Sequence, residues 1–292
     1  VPSDPTLRSS RCMQILNMQA AGLSQRLKKI HCEHLLIGIS GGLDSTLALI
    51  VASMAFERIK FPSKNIIAVT MPGFGTTKRT QGNSHKLMEA LHTTSREILI
   101  HDACQQHFQD IGHDASLQDI TYENTQARER TQILMDLANA YNGIVLGTGD
   151  LSELALGWCT YNGDHMSMYA VNASIPKTLV RYLVETYAEA MQEQGRLDIA
   201  AVLRDICATP VSPELLPPKD NGEIAQITED SIGSYDYHDF FLYHMLRNGY
   251  APAKILELAC IAFGTEKREA IINTMQTFYR RFFSQQFKRN CL

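Results

Sequence analysis

The chain has 292 residues, of which 45% are hydrophobic and 20% charged, and its formal net charge is −4. This is the composition of a globular protein with ample apolar material for a core, and the slight negative charge provides no basic field for nucleic acid. No apolar run approaches the roughly 20 residues of a membrane-spanning helix, and no signal peptide is present at the start. We therefore expect neither a nucleic-acid partner nor a membrane partner.

The seven cysteines are dispersed and contain no C-x-x-C pair, which predicts reduced thiols in the cytoplasm rather than a disulfide framework. The chain begins with Val1 and Pro2 instead of Met, and it ends directly after a helical pattern. We interpret it as a piece of a longer protein. In this interpretation residues 1–9 are a linker from a preceding domain, and residues 10–292 are one domain.

Helical and strand-like patterns alternate over the first part of the chain. In chain order they predict a helix at 10–30, strands at 35–40 and 66–71 with a helix at 44–60 between them, a helix through 85–92, a strand at 97–100, helices at 103–111 and 125–141, and a strand at 143–148. Strands separated by helices predict an α/β fold with a doubly wound parallel sheet over residues 35–175. Ligands bind such sheets beyond the carboxyl ends of the strands, so the segments that begin at Ser40, Thr70 and Thr148 are expected to converge on one crevice.

From residue 176 onwards the pattern is mainly helical. Helices are predicted at 177–194, 198–207, 236–248, 252–263 and 266–288. A proline-rich loop from Thr209 to Pro218 and a polar segment at 219–234 separate the second of these helices from the third. We expect residues 176–292 to be a helical extension that packs on the sheet, without forming an independent domain.

The most informative segment is Ser40-Gly41-Gly42-Leu43-Asp44-Ser45, between a predicted strand and a predicted helix. Such a turn directs backbone N–H groups to one point at the positive end of the helix dipole, where phosphate is the expected ligand. The lysine of a Walker A loop is absent, and Asp44 would repel phosphate unless a cation lay between them. The segment therefore predicts a nucleotide together with Mg²⁺. The alternative is an ordinary loop in which Asp44 or Ser45 caps the helix.

This segment resembles the S-G-G-x-D-S loop of the N-type ATP pyrophosphatases, the PP-loop family, which cleave ATP between its α- and β-phosphates. Other segments resemble those of the glutamine-dependent NAD⁺ synthetases within that family, in the same order along the chain. They are residues 122–130 (E-N-x-Q-A-R-x-R), 147–157 (G-T-G-D-x-S-E-x-x-x-G), 161–164, 175–178, 209–215 (T-P-x-S-x-E-L) and 287–289 (F-K-R). Gln126 stands where the small ammonia-only synthetases often have lysine, which favours the large glutamine-dependent type.

The resemblance implies an adenine nucleotide alpha hydrolase-like, Rossmann-like fold with extra C-terminal helices. It also implies ATP-dependent amidation of deamido-NAD⁺ to NAD⁺ through an NAD-adenylate intermediate, with release of AMP and pyrophosphate and with Mg²⁺ as cofactor. An N-terminal glutaminase domain, absent from this sequence, would supply the ammonia, so we expect activity with free ammonia and none with glutamine. The family's synthetase domains pair, so a homodimer or higher homo-oligomer is implied, with the helices at 10–30 and 125–141 as candidate contacts.

The resemblance also implies roles for individual residues. Asp44, Glu153 and Lys177 would be catalytic, with Asp44 and Glu153 as Mg²⁺ ligands and Lys177 as a phosphate ligand. The residues implied to bind ATP are Gly38, Ile39, Ser40, Gly41, Gly42, Leu43, Asp44, Ser45, Thr70, Met71, Thr148, Lys177, Thr209 and Ser212. The residues implied to bind deamido-NAD⁺ are Asn124, Arg128, Asp150, Glu153, Trp158, Cys159, Thr160, Tyr161, Asp164 and Lys288.

Several of these residues have a structural alternative. Glu153 could be a first-turn acid that complements a helix dipole, and Lys177 could be a solvated residue at a helix start. Asn124 could be a helix N-cap and Trp158 a core residue. Lys288 could be an ordinary basic residue at a helix end.

Met71 departs from the family pattern, because many PP-loop synthetases carry an arginine after the second strand. Met71 can pack against adenine or ribose but cannot pair with a charge, which makes Lys78 or Arg79 the candidate to compensate. Two rival functions also stay open. One is another PP-loop amidotransferase such as GMP synthetase, and the other is a non-catalytic adenine-nucleotide sensor.

Overall fold

A computed structural model of the protein describes residue 2, residues 4–209 and residues 228–289. Its centre is a five-stranded sheet in the order β3-β2-β1-β4-β5, and each neighbouring pair is parallel. The strands are β1 (Leu35–Gly38), β2 (Ile66–Thr70), β3 (Thr94–Glu97), β4 (Ile144–Gly147) and β5 (Tyr169–Ala170). The predicted α/β fold with a doubly wound parallel sheet is thus confirmed.

Helices precede, connect and follow the strands. Those described are α1 (Pro5–Lys29), α2 (Leu43–Ile59), α3 (Lys78–Ala90), α4 (His101–Ile111), α5 (Ile120–Tyr141), α6 (Leu151–Leu156), α7 (Lys177–Glu193), α8 (Leu197–Cys207), α9 (Thr228–Ile232), α10 (Tyr235–Asn248), α11 (Pro252–Phe263) and α12 (Arg268–Ser284). Among them, none is long and apolar enough to cross a bilayer. The six cysteines in the described ranges are free thiols, as predicted.

Successive residues of the central strands are buried on opposite faces of the sheet, as the two-residue period of a strand requires. Leu35 and Ile37 of β1 belong to a first core, which α1, α2, α7 and α8 complete. Leu36 belongs to a second core, where it packs with Phe108 of α4 and Ala138 of α5. Because helices cover both faces, the central strands are apolar throughout and show no polar alternation in the sequence.

Several elements differ from the sequence predictions. Helix α9 lies in the segment predicted to be a polar connection, and α5 begins at Ile120 instead of residue 125. The third strand occupies Thr94–Glu97 instead of residues 97–100, because it is an edge strand whose ladder to β2 is made by the backbone of polar residues. Strand β5 was not predicted, and no bounds were predicted for α6 although Glu153 was considered a first-turn helix acid, since two and six residues are too few to show a period. Helix α1 begins at Pro5 with Asp4 as its N-cap, so residues 5–9, expected to be linker, are helical.

The last three long helices, α10, α11 and α12, pack on one another and not on the sheet. Their apolar side chains form a third core around Phe241 and Phe278, together with Leu156 of α6. Of the extension predicted to pack on the sheet, α7 and α8 do so, because they belong to the first core with β1. Helices α10, α11 and α12 instead bury their apolar sides against each other, and α10 contacts α7.

Candidate active site

A cavity of about 640 Å³ opens at the carboxyl ends of β1, β2 and β4. The segments that follow these three strands all contribute to its wall, which confirms that they converge. The predicted site residues that line the cavity are Gly38, Ile39, Ser40, Gly41, Gly42, Leu43, Asp44, Ser45, Thr70, Met71, Asn124, Thr148, Glu153, Trp158, Cys159, Thr160, Asp164, Thr209 and Lys288.

The loop after β1 presents its backbone to the cavity. Gly41 has a φ of +86°, and a Cβ atom there would lie 2.3 Å from the carbonyl oxygen of Thr80, so only glycine fits. The N-cap of α2 is Gly42, and no side chain caps this helix. The hydroxyl of Ser45 instead donates to the carbonyl oxygen of Gly42 at 3.2 Å. The alternative in which Asp44 or Ser45 caps the helix is therefore wrong, and the positive end of the α2 dipole lies uncapped at the cavity wall.

Three carboxylates surround one lysine beside the cavity, and we call these four side chains the carboxylate cluster. The ammonium nitrogen of Lys177 lies 2.8 Å from one carboxylate oxygen each of Asp44, Asp150 and Glu153. Only 5% of the Lys177 side chain and none of the Asp150 side chain is exposed. The alternative that Lys177 is a solvated residue is therefore wrong, because its buried charge is what offsets the burial of the acids.

The members of the carboxylate cluster shift one another's pKa. Burial alone would lower the pKa of Lys177, but the carboxylates of Asp44, Glu153 and Asp150 outweigh burial and hold this pKa well above its usual range. Burial, and then the charge of Glu153, raises the pKa of Asp150 well above its usual range. Burial also raises the pKa of Glu153 to about 6, although Lys177 opposes the shift. Three acids facing one ammonium group create an environment in which a further cation is favourable.

The carboxylate cluster has the donor atoms that Mg²⁺ requires. One oxygen from each of Asp44, Asp150 and Glu153 lies within 4.8 Å of the other two, and Mg²⁺ prefers such hard oxygen ligands. The second oxygen of Asp44, Oδ1, is buried and has no hydrogen-bond partner among the described residues. Asp44 and Glu153 also line the cavity, whereas Asp150 does not. The pair Asp44 and Glu153 is thus the one that could hold a metal ion in contact with a bound ligand.

Helix α6 positions two of these acids through its own N-terminal turn. Asp150 is its N-cap and accepts a hydrogen bond from the backbone N–H of Glu153 at 2.8 Å, while the Glu153 carboxylate accepts one from the backbone N–H of Asp150 at 3.4 Å. This reciprocal arrangement is a capping box, which restrains both carboxylates. Glu153 is also a first-turn acid, so its structural alternative and its proposed role as a ligand are compatible.

Asn172 connects the two acid-bearing loops, although no sequence motif pointed to it. Its side chain is fully buried, and its Nδ2 donates to the carbonyl oxygens of Asp44 and Thr148, each at 3.0 Å. Gln19 of α1 orients the amide by donating to Asn172 Oδ1 at 3.2 Å. Because its partners near the site are backbone atoms, no side-chain pattern in the sequence could have identified Asn172.

Asp239 of α10 joins the N-termini of α6 and α7, and no sequence motif pointed to it either. One of its oxygens accepts from the hydroxyl of Ser152, and the other accepts from the backbone N–H and the hydroxyl of Thr178, at 2.9 and 2.7 Å. The Ser152 hydroxyl in turn accepts from the backbone N–H of Lys177 at 2.9 Å. A single buried carboxylate thereby complements the positive ends of the two helices that carry Glu153 and Lys177.

Three cations from α12 and the turn after it cap the carboxyl end of α6. Arg281 donates to the carbonyl oxygen of Leu156 at 3.0 Å, and Lys288 donates to that of Gly157 at 2.9 Å. Arg289 donates to two carbonyl oxygens of the last turn. Lys288 is therefore more than a basic helix end, because it lines the cavity and also satisfies acceptors that the end of a helix leaves unpaired.

Thr160 is hydrogen-bonded in the cavity wall to two residues that the resemblance implies to bind deamido-NAD⁺. The Thr160 hydroxyl donates to Asn124 Oδ1 at 2.8 Å, and the Thr160 N–H donates to Asp164 Oδ1 at 2.7 Å. Asn124 lies inside α5, whose N-cap is Asp119, so the alternative that Asn124 caps the helix is wrong. Burial raises the pKa of Asp164 above its ordinary value.

Trp158 combines the two roles that the sequence left open. It packs against the third core and also lines the cavity. The guanidinium carbon of Arg281 lies 4.8 Å from the centre of its ring, which is a cation–π contact. The indole ring is thus a restrained part of the cavity wall.

Four predicted site residues do not line the cavity. Arg128 and Tyr161 are exposed, and the Arg128 guanidinium donates to the Tyr161 carbonyl oxygen at 3.3 Å. Asp150 and Lys177 lie behind the cavity wall in the carboxylate cluster. A fifth residue, Ser212, lies outside the described residues.

Arg128 does not line the cavity because it lies on another face of α5. Its cavity-lining residues are Ile120, Glu123, Asn124, Ala127, Arg130, Thr131 and Leu134. They recur every three or four positions and so share one helical face, which excludes Arg128 and includes Arg130. The sequence could not select Arg130, because Arg128 stands four residues after Asn124 and the same period favours it.

Arg130 is also the described cation beside Met71. Its guanidinium donates to the Met71 carbonyl oxygen at 3.1 Å, and both residues line the cavity. Arg79, the predicted substitute for the missing arginine, instead pairs with Asp205 at 2.6 Å on the surface. The other candidate, Lys78, has a side chain outside the described part of the structure.

Comparisons with known proteins identify the family of the chain. The family model for NAD synthase matches residues 15–282. A glutamine-dependent NAD⁺ synthetase of Mycobacterium leprae is 42% identical to the chain over 315 aligned positions, which cover 100% of this chain and 46% of that protein. The chain therefore spans about half the length of the curated relatives it matches.

Two solved structures share the fold at lower identity. A glutamine-dependent NAD⁺ synthetase from Cytophaga hutchinsonii has a TM-score of 0.75 at 17% identity, over 95% of this chain and 50% of that one. One from Acinetobacter baumannii, in complex with ADP, has a TM-score of 0.57 at 24% identity, over 97% of this chain and 47% of that one. With the family match covering most of the residues that form the cavity and the carboxylate cluster, the chain belongs to the NAD synthase family.

Proposed function

We propose that this chain catalyses the ATP-dependent amidation of deamido-NAD⁺ to NAD⁺ and releases AMP and pyrophosphate. The observation that carries the proposal is the meeting of the uncapped start of α2 with the carboxylate cluster at one cavity, in a chain of the NAD synthase family. A carboxylate is a poor electrophile, so amide formation requires an activated acyl group. The ADP bound to the Acinetobacter baumannii relative supports an adenine nucleotide as the source of that activation.

In the first step, an oxygen of the substrate carboxylate attacks the α-phosphorus of ATP, and the bond from that phosphorus to the oxygen bridging to the β-phosphate breaks. Backbone N–H groups of the loop 40–45 and the α2 dipole would bind the departing pyrophosphate. Mg²⁺ held by Asp44 and Glu153 would neutralise phosphate charge when bound. The ammonium group of Lys177 would offset the negative charge of the neighbouring acids, so that an anionic ligand could bind beside them.

In the second step, ammonia attacks the acyl carbon, the bond from this carbon to the AMP oxygen breaks, and the nitrogen releases a proton. Asn124, Thr160 and Asp164, fixed by their mutual hydrogen bonds, form the wall that we assign to the dinucleotide. The chain's contribution to both steps is placement of the reactants and stabilisation of phosphate charge.

The test is turnover with ATP, Mg²⁺, ammonia and deamido-NAD⁺, read as equal amounts of NAD⁺, AMP and pyrophosphate. Asp44→Ala is expected to lower kcat by about 100-fold or more, because phosphate charge would lose its counter-ion site. Turnover with XMP in place of deamido-NAD⁺ would identify a GMP synthetase. Binding of ATP without release of AMP would identify a nucleotide sensor.

We also propose that the remaining half of such relatives supplies ammonia from glutamine through a glutaminase domain. The 292-residue chain is then expected to make NAD⁺ from ammonia and none from glutamine, whereas steady NAD⁺ formation from glutamine would refute this division. A homodimer or higher homo-oligomer is proposed as well, and sedimentation analysis of the chain measures it.

A further inference from the structure

Tyr235, the first residue of α10, connects the third core with the cavity. Its side chain is 4% exposed, and its ring lies 6.2 Å from the ring of His238. Although it belongs to the third core, Tyr235 also lines the cavity. The centre of its ring is 5.6 Å from the ammonium nitrogen of Lys177. The phenol therefore lies between an apolar core and the most strongly charged part of the site.

The hydroxyl of Tyr235 is buried and has no hydrogen-bond partner among the described residues. It is close enough to Lys177, Glu153, Asp150 and Asp44 to respond to their charges, yet it bonds to none of them. A buried hydroxyl without a partner destabilises a protein, and phenylalanine would fill the same space without this cost. The hydroxyl is thus explained best by a partner that is not part of the chain.

We infer that Tyr235 is a further substrate-binding residue, whose hydroxyl donates a hydrogen bond to an anionic oxygen of a reactant at the carboxylate cluster. This inference rests on the proposed function and adds to it a contact from α10, an element that none of the sequence motifs covers. Two oxygens have the required chemistry, one on a phosphate of ATP and the other on the carboxylate that becomes adenylated.

The chemistry of the hydroxyl fits such a role. Burial raises the pKa of Tyr235 above its ordinary value, and the neighbouring acids add to the rise against the opposing effect of Lys177. The group therefore stays protonated at neutral pH and remains a donor. Because it is uncharged, it can approach an anionic oxygen beside Asp44 and Glu153 without adding a further charge to the cluster.

The experiment compares Tyr235→Phe with the unaltered protein in the turnover assay, and in calorimetric binding of α,β-methylene-ATP with Mg²⁺. Loss of one hydrogen bond to a charged group is expected to reduce kcat/KM by about 10- to 100-fold. If the partner is a phosphate oxygen, affinity for the ATP analogue falls by a similar factor. If the partner is the substrate carboxylate, affinity for the analogue is unchanged and the loss lies in kcat/KM for deamido-NAD⁺.

Tyr279→Phe is the matched control. The hydroxyl of Tyr279 on α12 also lacks a partner among the described residues, but Tyr279 does not line the cavity. Both variants are expected to unfold at the same temperature as the unaltered protein or slightly above it, and Tyr279→Phe is expected to keep full turnover. Full turnover by Tyr235→Phe overturns the inference. A lower unfolding temperature of ligand-free Tyr235→Phe overturns it too, because the hydroxyl would then have a partner within the protein.

The result separates this inference from the proposed function. If the unaltered protein does not convert deamido-NAD⁺, the proposed function fails. Weakened binding of the ATP analogue to Tyr235→Phe would then still support Tyr235 as a ligand contact, and unchanged binding would remove it.

Discussion

At the scale of single residues, Lys177 offsets the negative charge of the three acids of the carboxylate cluster. Its ammonium group touches three carboxylates at 2.8 Å and is almost completely buried. Arg79 and Asp205, by contrast, form an ion pair on the surface, where both side chains are exposed to solvent. Removal of one partner from a buried ionic group leaves an uncompensated charge, whereas loss of an exposed pair changes stability little.

Lys177→Met is therefore expected to lower the free energy of unfolding by about 3 kcal/mol when a chelator removes divalent ions. Excess Mg²⁺ should restore more stability to this variant than to the unaltered protein, because the three carboxylates then lack their lysine. Urea unfolding with and without Mg²⁺ measures both effects, with Arg79→Ala as the control. An equal gain from Mg²⁺ in all three proteins would show that Lys177 and the metal do not share these acids.

His238 makes stability depend on pH. Its Nε2 lies 2.8 Å from the Ile232 carbonyl oxygen, while its buried Nδ1 has no partner among the described residues. Burial lowers the pKa of His238 from 6.5 to about 4. The unfolded chain therefore binds more protons than the folded protein between these two values. The stabilisation is complete above the unfolded pKa and is lost as pH falls towards the folded pKa.

The expected size of this effect is about 3 kcal/mol between pH 7 and pH 4, from the difference between the two pKa values. His238→Gln, which cannot titrate, should lose less stability than the unaltered protein over the same range. The difference between the two proteins isolates His238 from the carboxyl groups that titrate in the same range. Parallel curves of unfolding free energy against pH would contradict the assignment.

At the scale of a secondary-structure element, α6 is stabilised by hydrogen bonds at both of its ends. The capping box of Asp150 and Glu153 satisfies its amino end, and Arg281, Lys288 and Arg289 satisfy its carboxyl end. A helix of six residues cannot be stable alone, because nucleation is costly relative to the few bonds gained. The basic segment after α12 therefore positions the acids of the site although it lies far from them in sequence.

Arg289→Ala is expected to free the last carbonyl oxygens of α6 and to destabilise this turn by about 1–2 kcal/mol. Amide hydrogen exchange over residues 151–157 should then become faster by about 5- to 30-fold, with little change in the central strands. Arg280→Ala is the matched control, since Arg280 is an exposed arginine of α12, the helix that precedes Arg289. Unaltered exchange in α6 would show that the arginine is dispensable.

The whole molecule consists of the sheet with its covering helices and a helical unit built around the third core. Asp239 is one polar link between them, because it lies on α10 and bonds to Ser152 of α6 and Thr178 of α7. The same link places the third core, and hence Tyr235, against the carboxylate cluster. The position of the helical unit against the sheet therefore determines the shape of the cavity, because Tyr235 lines it.

Asp239→Ala is expected to reduce stability by about 2 kcal/mol and to weaken the coupling between the two units. Trp158, the sole tryptophan of the sequence, packs against the third core, so its fluorescence reports on the helical unit. Its unfolding transition in urea should separate from the circular-dichroism transition in the variant and coincide with it in the unaltered protein. Asp236→Ala, an exposed acid on the same helix, should leave the transitions coincident.

The sequence determined those features that depend on neighbours along the chain. The strands β1, β2 and β4 were predicted close to their final bounds because each is a short continuous apolar run. Most of the long helices were predicted because burial of one face imposes a period of 3.6 residues. The glycine turn before α2 and the position of Asp44 in the first turn of α2 were also predictable, because they depend only on neighbouring residues. The resemblance of the 147–157 segment supplied Glu153, whose capping box is likewise formed within one turn.

Only the tertiary structure decided which distant groups meet. Edge strand β3 and the two-residue β5 exist through backbone pairing that leaves no pattern of side chains. Lys177, expected to contact phosphate, faces three acids because α7 starts beside α6. Asn172, Asp239 and Tyr235 act on the site through contacts that span many residues of sequence, and such contacts exist only once the sheet and the late helices are packed.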